Sequence, residues 1–183
     1  MLNVPNFLTL LRIMAIPVFL ILLEDLRYRD ALLVFVAAGI TDALDGTIAR
    51  LTHTKTTLGA YLDPAADKLL LLSAFIALGF MHIVPRWLVV VVLMRDVIIV
   101  AGYILLFMMT QRTMEVRPNL AGKVGTFLQL LSVFVVLVSQ VRAEPLREHL
   151  QTTIFVAAGV TTALAGFQYV HRGLKWLQTG GAT

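Results

Sequence analysis

Four aspartates stand where an apolar chain would not be expected to carry charge. Asp42 and Asp45 fall near the end of one long apolar segment, and Asp63 and Asp67 near the start of the next. Spacings of three and four residues put the members of each pair on one face of a helix. A hairpin of the two segments would bring the pairs to similar depth and make four carboxylates converge. Two like charges ~4 Å apart repel by ~4 kcal/mol at an effective dielectric of 20, so the group needs protons or cations. One or two divalent ions would neutralise it, and all-oxygen ligation selects hard ions such as Mg²⁺, Mn²⁺ or Ca²⁺. Lys68 and Arg50 lie close by in sequence but cannot balance the whole set. A single aspartate inside a membrane is commonly half of an ion pair. Four at these spacings, with few internal cations, point instead to function.

The neighbours of the aspartates are small. Ala43, Gly46 and Ala49 on one segment, with Gly59 and Ala60 on the other, leave room for close backbone approach or for a ligand. A glycine beside an aspartate also lets a flat group lie against the backbone. Arg50, one turn beyond Gly46, is placed to meet an anion. His53 lies in a polar connection and reads as solvated.

These residues must be held by helices that cross a bilayer. Of 183 residues, 58% are hydrophobic and 14% charged, against about half and a quarter in ordinary soluble domains. Six apolar segments cover about residues 6–23, 31–50, 57–80, 87–109, 122–141 and 151–170, each near the ~20 residues needed to span ~30 Å of hydrocarbon. Lipid forces such spans to be helical. The expectation is an all-α integral membrane protein, six transmembrane helices in a single membrane-embedded catalytic domain. Pro85 and Pro145 sit in connections, Pro17 lies inside the first span, and the tail after Lys175 reads as frayed. Arg12 lies inside the first span, where its plainer reading is a side chain that snorkels. The first run has no basic stretch ahead of it, so it reads as a retained helix rather than a cleaved signal.

Charge orients the chain. With six spans both termini share a side, which also carries Arg50, Lys55, Arg112, Arg117, Lys123, Arg172 and Lys175. Arg27, Arg29, Arg86, Arg142 and Arg147 on the other side are diluted by five acidic residues. This bias places the termini and the aspartates at the cytoplasmic face. Trp87 and Trp176 fall at span ends, where aromatic belts form. The net charge of +4 is scattered through apolar sequence, which fits an anionic lipid surface and not a nucleic acid. The absence of cysteine removes thiolate ligands, cysteine nucleophiles and disulfides.

Written out, the region runs Asp42-Ala-Leu-Asp45-Gly46-Thr-Ile-Ala49-Arg50, eight further residues, then Gly59-Ala-Tyr-Leu-Asp63-Pro-Ala-Ala-Asp67. It resembles the signature of the CDP-alcohol phosphotransferases, D-x-x-D-G-x-x-A-R-x8-G-x-x-x-D-x-x-x-D, at all eight fixed positions and in spacer length. The resemblance implies a six-helix membrane fold, a homodimer, and a site opening to the cytoplasmic leaflet, here of a bacterial inner membrane. It implies that Asp42, Asp45 and Asp63 ligate Mg²⁺ or Mn²⁺, and that Asp67 is both a further ligand and the general base. Gly46 and Gly59, with Asp45 and Ala49, would meet the cytidine nucleotide, and Arg50 a phosphate. An acceptor hydroxyl would be joined to the phosphatidyl group of CDP-diacylglycerol, with release of CMP. Pro5 to Arg12 resembles the opening of the glycerol-phospholipid branch, where Asn6 and Thr9, one turn apart, either bond the diphosphate or simply start and cap a helix.

Two acceptors compete. Arg95-Asp96, Arg117-Pro118, Lys123-Val124-Gly125-Thr126 and Gln129 resemble the pattern of the family's cardiolipin-forming branch, whose acceptor is phosphatidylglycerol. The branch that uses glycerol 3-phosphate commonly has Arg-Glu in place of Arg95-Asp96 and a second lysine in place of Gly125. A near-dianionic monoester also needs a richer set of cations than a diester lipid does. Arg95, Arg117 and Lys123 are the expected acceptor-binding residues. Their plainer readings are an Arg95–Asp96 ion pair and surface charge. Outside this class, a cation or proton transporter would also bury carboxylates, but it leaves Gly46, Ala49, Arg50 and Gly59 unexplained. A lipid-binding scaffold would not depend on the aspartates.

Overall fold

The computed structural model describes residues 4–51, 57–110, 120–142 and 148–178, with side chains over 9–42, 65–109, 120–142 and 149–178. Six helices make up these residues: α1 (Val4–Glu24), α2 (Tyr28–Leu51), α3 (Thr57–Phe80), α4 (Arg86–Thr110), α5 (Leu120–Arg142) and α6 (Glu148–Gln178). No strand occurs among the described residues. Each apolar segment of the sequence is therefore one helix. α1 continues through Pro17, which gives up one N–H. α6 continues past the apolar stretch through His171, Arg172 and Lys175 to Gln178, three residues into the tail expected to fray; residues 179–183 lie outside the described residues. A helix does not stop where its hydrophobicity does, because lysine and arginine are good helix formers.

Two turns are built alike. After α1, Leu26 takes φ 58° and the Arg27 N–H donates to the Leu22 carbonyl at 2.9 Å. After α3, His82 takes φ 62° and the Ile83 N–H donates to the Leu78 carbonyl at 3.0 Å. A six-to-one bond over a left-handed residue is the Schellman cap, which satisfies the last helical carbonyls. Beyond the first of these caps, the Arg27 carbonyl accepts from Ala31 N–H at 3.0 Å, and the Arg27 Nε donates to Asp30 Oδ2 at 2.9 Å. The chain thus re-enters a helix at once.

Packing forms two compact units, Met1–Ile83 with Val133–Leu146, and Val84–Ser132 with Arg147–Thr183. In the first, α1 lies against α2 and α3. Phe19 meets Phe35 with ring centroids 5.9 Å apart, and Arg12 meets Asp42. Numbers that rise along α1 fall along α2, so the two are antiparallel. Leu23 and Ala31, both buried, continue the register toward the turn.

In the second unit α4 packs on α6. Trp87 lies against Gly159, Arg95 against Gly166 and Leu106 against Gly173. Numbers rise together, so these helices are parallel, which requires a return pass between them. α5 is the element available for it, and its Gln129 Nε2 donates to Thr162 Oγ1 of α6 at 2.8 Å, with both residues buried. Three glycines at seven-residue spacing form one stripe, the small-residue route to close helix approach in lipid. Arg86–Met109, Leu120–Arg142 and His149–Gln178 are each long and apolar enough to cross a membrane. α4 leaves Val90, Met94, Val97, Val100, Ile104 and Met108 exposed. So large an apolar face is a liability in water and ordinary in lipid. The chain is an integral membrane protein.

At Gly159 a Cβ would stand 2.9 Å from Trp87 Cη2 and closer still to Cζ3. Gly159→Leu should lower the thermal midpoint in detergent by several degrees, a cost of about 1–3 kcal/mol from overpacking. The Trp87→Ala/Gly159→Leu double variant should recover much of the loss. Independent, additive losses would show that the two residues do not share a contact.

Candidate active site

The aspartates meet at an arginine. Arg12 of α1 is buried, its side chain 1% exposed. Its Nη1 donates to Oδ1 of Asp67, on α3, at 2.6 Å. The same nitrogen stands 3.2 Å from Oδ1 of Asp42, on α2. One guanidinium therefore ties three helices at one depth. Arg12 does not snorkel. It lies about 12 Å along α1 from Val4 at 1.5 Å per residue, with Asp42 and Asp67 at comparable distances from Leu51 and Thr57. A buried cation at such depth requires anionic partners, and the next two helices, α2 and α3, supply one each. The carboxylates themselves are 44% and 42% exposed, so a ligand can reach them.

The structure brings Asp42 and Asp67 together. Asp45 and Asp63 belong to α2 and α3, but their side chains lie outside the described residues. So do those of Asn6, Gly46, Ala49, Arg50 and Gly59, which occupy α1, α2 and α3, and all of Arg117. Among the described residues no three acidic or histidine side chains assemble. The backbone nonetheless places position 45 one turn beyond Asp42 and position 63 one turn before Asp67.

The residues present fit a hard divalent ion. Asp42 and Asp67 offer only oxygen, and an oxygen of each stands at the same donor nitrogen. Carboxylate oxygens in this number suit Mg²⁺ or Mn²⁺ better than softer ions. Thr9, one turn before Arg12 on α1, is 1% exposed and so faces the same interior. Asn6 falls within the first turn of α1, which begins at Val4.

Arg12 is the site residue the sequence did not pick out. The available signal was an arginine inside an apolar segment, residues 6–23, that offers it no acid of its own.

The second unit has its own buried charge. Arg95 Nη1 donates to Asp96 Oδ1 at 2.6 Å, and the two side chains are 16% and 15% exposed. The aliphatic stem of Arg95 lies along Gly166, where a Cβ would be 3.5 Å from Arg95 Cγ. Arg95 Nε and the Tyr169 hydroxyl are buried with no hydrogen-bond partner among the described residues. The ion pair foreseen as the plainer reading of Arg95 is present, and it leaves one donor unused. Lys123 is exposed on the first turn of α5.

Comparison with known proteins gives this arrangement its context. Residues 2–165 match the family model for CDP-alcohol phosphatidyltransferase. A rat cardiolipin synthase (CMP-forming) is 34% identical over 193 residues, which cover 96% of this chain and 63% of the relative. The chain thus spans somewhat under two thirds of that relative's length. A probable phosphatidylglycerophosphate synthase of Mycobacterium tuberculosis is also 34% identical, covering 94% of this chain and 82% of the relative. The CDP-diacylglycerol–glycerol-3-phosphate 3-phosphatidyltransferase of Bacillus subtilis is 29% identical over 98% of this chain and 99% of its own.

Asp96→Asn would leave the Arg95 guanidinium buried without its carboxylate. Breaking a buried pair from one side costs about 3–5 kcal/mol, so the thermal midpoint in detergent should fall sharply. Arg95→Met/Asp96→Asn, which removes both charges, should be much closer to the parent. A double variant as unstable as the single one would mean that Asp96 works through another contact.

Proposed function

The chain belongs to the CDP-alcohol phosphatidyltransferase family, and from that premise we propose metal-dependent phosphatidyl transfer from CDP-diacylglycerol to phosphatidylglycerol, giving cardiolipin and CMP. The observation that carries the reading is the meeting of Asp42 and Asp67, from two helices, on one nitrogen of Arg12. It supports the convergence of carboxylates that the signature demands. One catalytic domain of six membrane-crossing helices holds the site at the cytoplasmic leaflet, with both termini on that side.

In this reading Asp42, Asp45, Asp63 and Asp67 hold one or two Mg²⁺ or Mn²⁺ ions. Such ions supply neutralisation of the diphosphate and stabilisation of the leaving oxygen. Gly46, Ala49 and Gly59 admit the cytidine end, while Arg50, Asn6 and Thr9 bind its phosphates. Asp67 takes the proton of the acceptor hydroxyl as that oxygen bonds to the phosphatidyl phosphorus and the bond to the CMP oxygen breaks. Asp67 suits the task because its side chain is half-open to a ligand. Arg95, with an unused buried donor, and Arg117 and Lys123 receive the anionic acceptor. A homodimer is the proposed assembly. The names of the Mycobacterium and Bacillus relatives keep glycerol 3-phosphate as the second acceptor to be tested.

Purified protein with CDP-diacylglycerol, Mg²⁺ or Mn²⁺ and, in separate reactions, phosphatidylglycerol, glycerol 3-phosphate, inositol or serine should release CMP and form cardiolipin with the first alone. A glycerophosphate lipid as sole product would overturn the acceptor. Cation flux in liposomes free of nucleotide lipid would favour a transporter. Asp67→Asn should remain folded and lose turnover by about 100-fold or more, the scale of a general base. Substantial residual turnover would remove Asp67 from that role.

A further inference from the structure

We propose that Arg12 is a built-in counter-ion of the acidic site, competing with a divalent ion for the oxygens of Asp42 and Asp67 and so setting how tightly that ion is held. The proposal rests on reading these two aspartates as metal ligands. It adds a residue from α1 that the signature does not contain.

The geometry carries the argument. Arg12 Nη1 is 2.6 Å from Asp67 Oδ1 and 3.2 Å from Asp42 Oδ1. An ion ligated by either oxygen has the guanidinium as its immediate neighbour. Two cations that share an oxygen repel, and the repulsion grows as solvent is excluded. Arg12 cannot withdraw into water, because its side chain is 1% exposed and begins well inside α1. Its charge is also permanent, since a guanidinium keeps its proton in any protein environment. The site therefore carries a fixed positive charge that any bound metal must tolerate.

The same charge has the opposite effect on the fold. It draws together carboxylates from α2 and α3 that would otherwise repel, and it does so with no ion required. Removing it should therefore move two measurable quantities in opposite directions. The protein without added metal becomes less stable, and its affinity for a divalent ion rises. A merely structural arginine would lower stability and leave ion binding unchanged or weaker. Opposite signs are thus the signature of competition.

The test uses the full chain purified in detergent, without substrate, titrated with Mn²⁺ and followed by thermal midpoint and by the electron paramagnetic resonance of free Mn²⁺. Arg12→Met should melt below the parent when no metal is added and bind Mn²⁺ at least about tenfold more tightly, as loss of a neighbouring like charge requires. Arg12→Lys keeps the charge as a single-point donor and should stay within about threefold of the parent. Arg12→Gln keeps a donor without charge and should follow Arg12→Met, which serves if the methionine variant does not fold. Unchanged or weaker Mn²⁺ binding in the neutral variants, with binding intact in the parent, would overturn the counter-ion role and leave the ligand assignment standing. A parent that binds no Mn²⁺, behaving like Asp42→Asn, would overturn the ligand assignment and the counter-ion role with it.

Discussion

The contact on which the first unit depends is electrostatic, and its burial is lopsided. The guanidinium of Arg12 is shut away from solvent, while the two carboxylates that answer it are nearly half exposed. A buried cation without partners is among the costliest features a membrane helix can carry. The chain therefore has to hold α2 and α3 so that Asp42 and Asp67 arrive at Arg12 together. In lipid, leucine against leucine gains little over leucine against acyl chain, so apolar surface selects register poorly. The charged contact selects it sharply. Slipping α1 by one residue would swing Arg12 through about 100° around the helix, away from both acids.

The second unit pairs Arg95 with a neighbour in sequence, Asp96. There the register is set by shape. Gly159, Gly166 and Gly173 recur at seven residues and accept Trp87, the stem of Arg95, and Leu106. The Arg95–Asp96 ion pair lies within a single helix. The buried hydrogen bond from Gln129 to Thr162 does join two helices. A hydrogen bond and a stripe of glycines suffice because α4, α5 and α6 carry so few charges to reconcile.

Much of this was legible in the sequence, for a physical reason. Lipid leaves the backbone one option across a span, so six apolar segments meant six helices, although α6 runs eight residues beyond its segment to Gln178. Helical spacing is rigid, so common faces for the aspartate pairs could be proposed; of the four, Asp42 and Asp67 have described side chains. The partner of Arg12 was not legible. Nothing in the order of residues says which of several antiparallel registers α1 takes against α2, and that register decides whether position 12 meets Asp42 or lipid. Trp87 was read as an interfacial residue from its place at a span end. It is half exposed, as that reading asks, yet its ring also covers Gly159 on a helix more than 70 residues away in sequence. The turns at Leu26 and His82 were equally hidden, since both take a left-handed conformation in which glycine is the usual residue.

Charge and apolarity are distributed along the chain in a way that follows from these constraints. α2 carries Arg29, Asp30, Asp42, Asp45 and Arg50 within 24 residues. α4, at 25 residues, carries only the Arg95–Asp96 pair beyond its terminal Arg86. A helix as polar as α2 cannot turn every face to hydrocarbon, and α1 lies against it, presenting Phe19 and Leu23 along one stretch and Arg12 where the acid stands. α4 can turn most of its surface outward because its own charge is neutralised in place. Chemistry that needs carboxylates inside a membrane thus dictates close, polar, register-specific packing around α1. Helices without that burden can be held by small residues and left open to lipid.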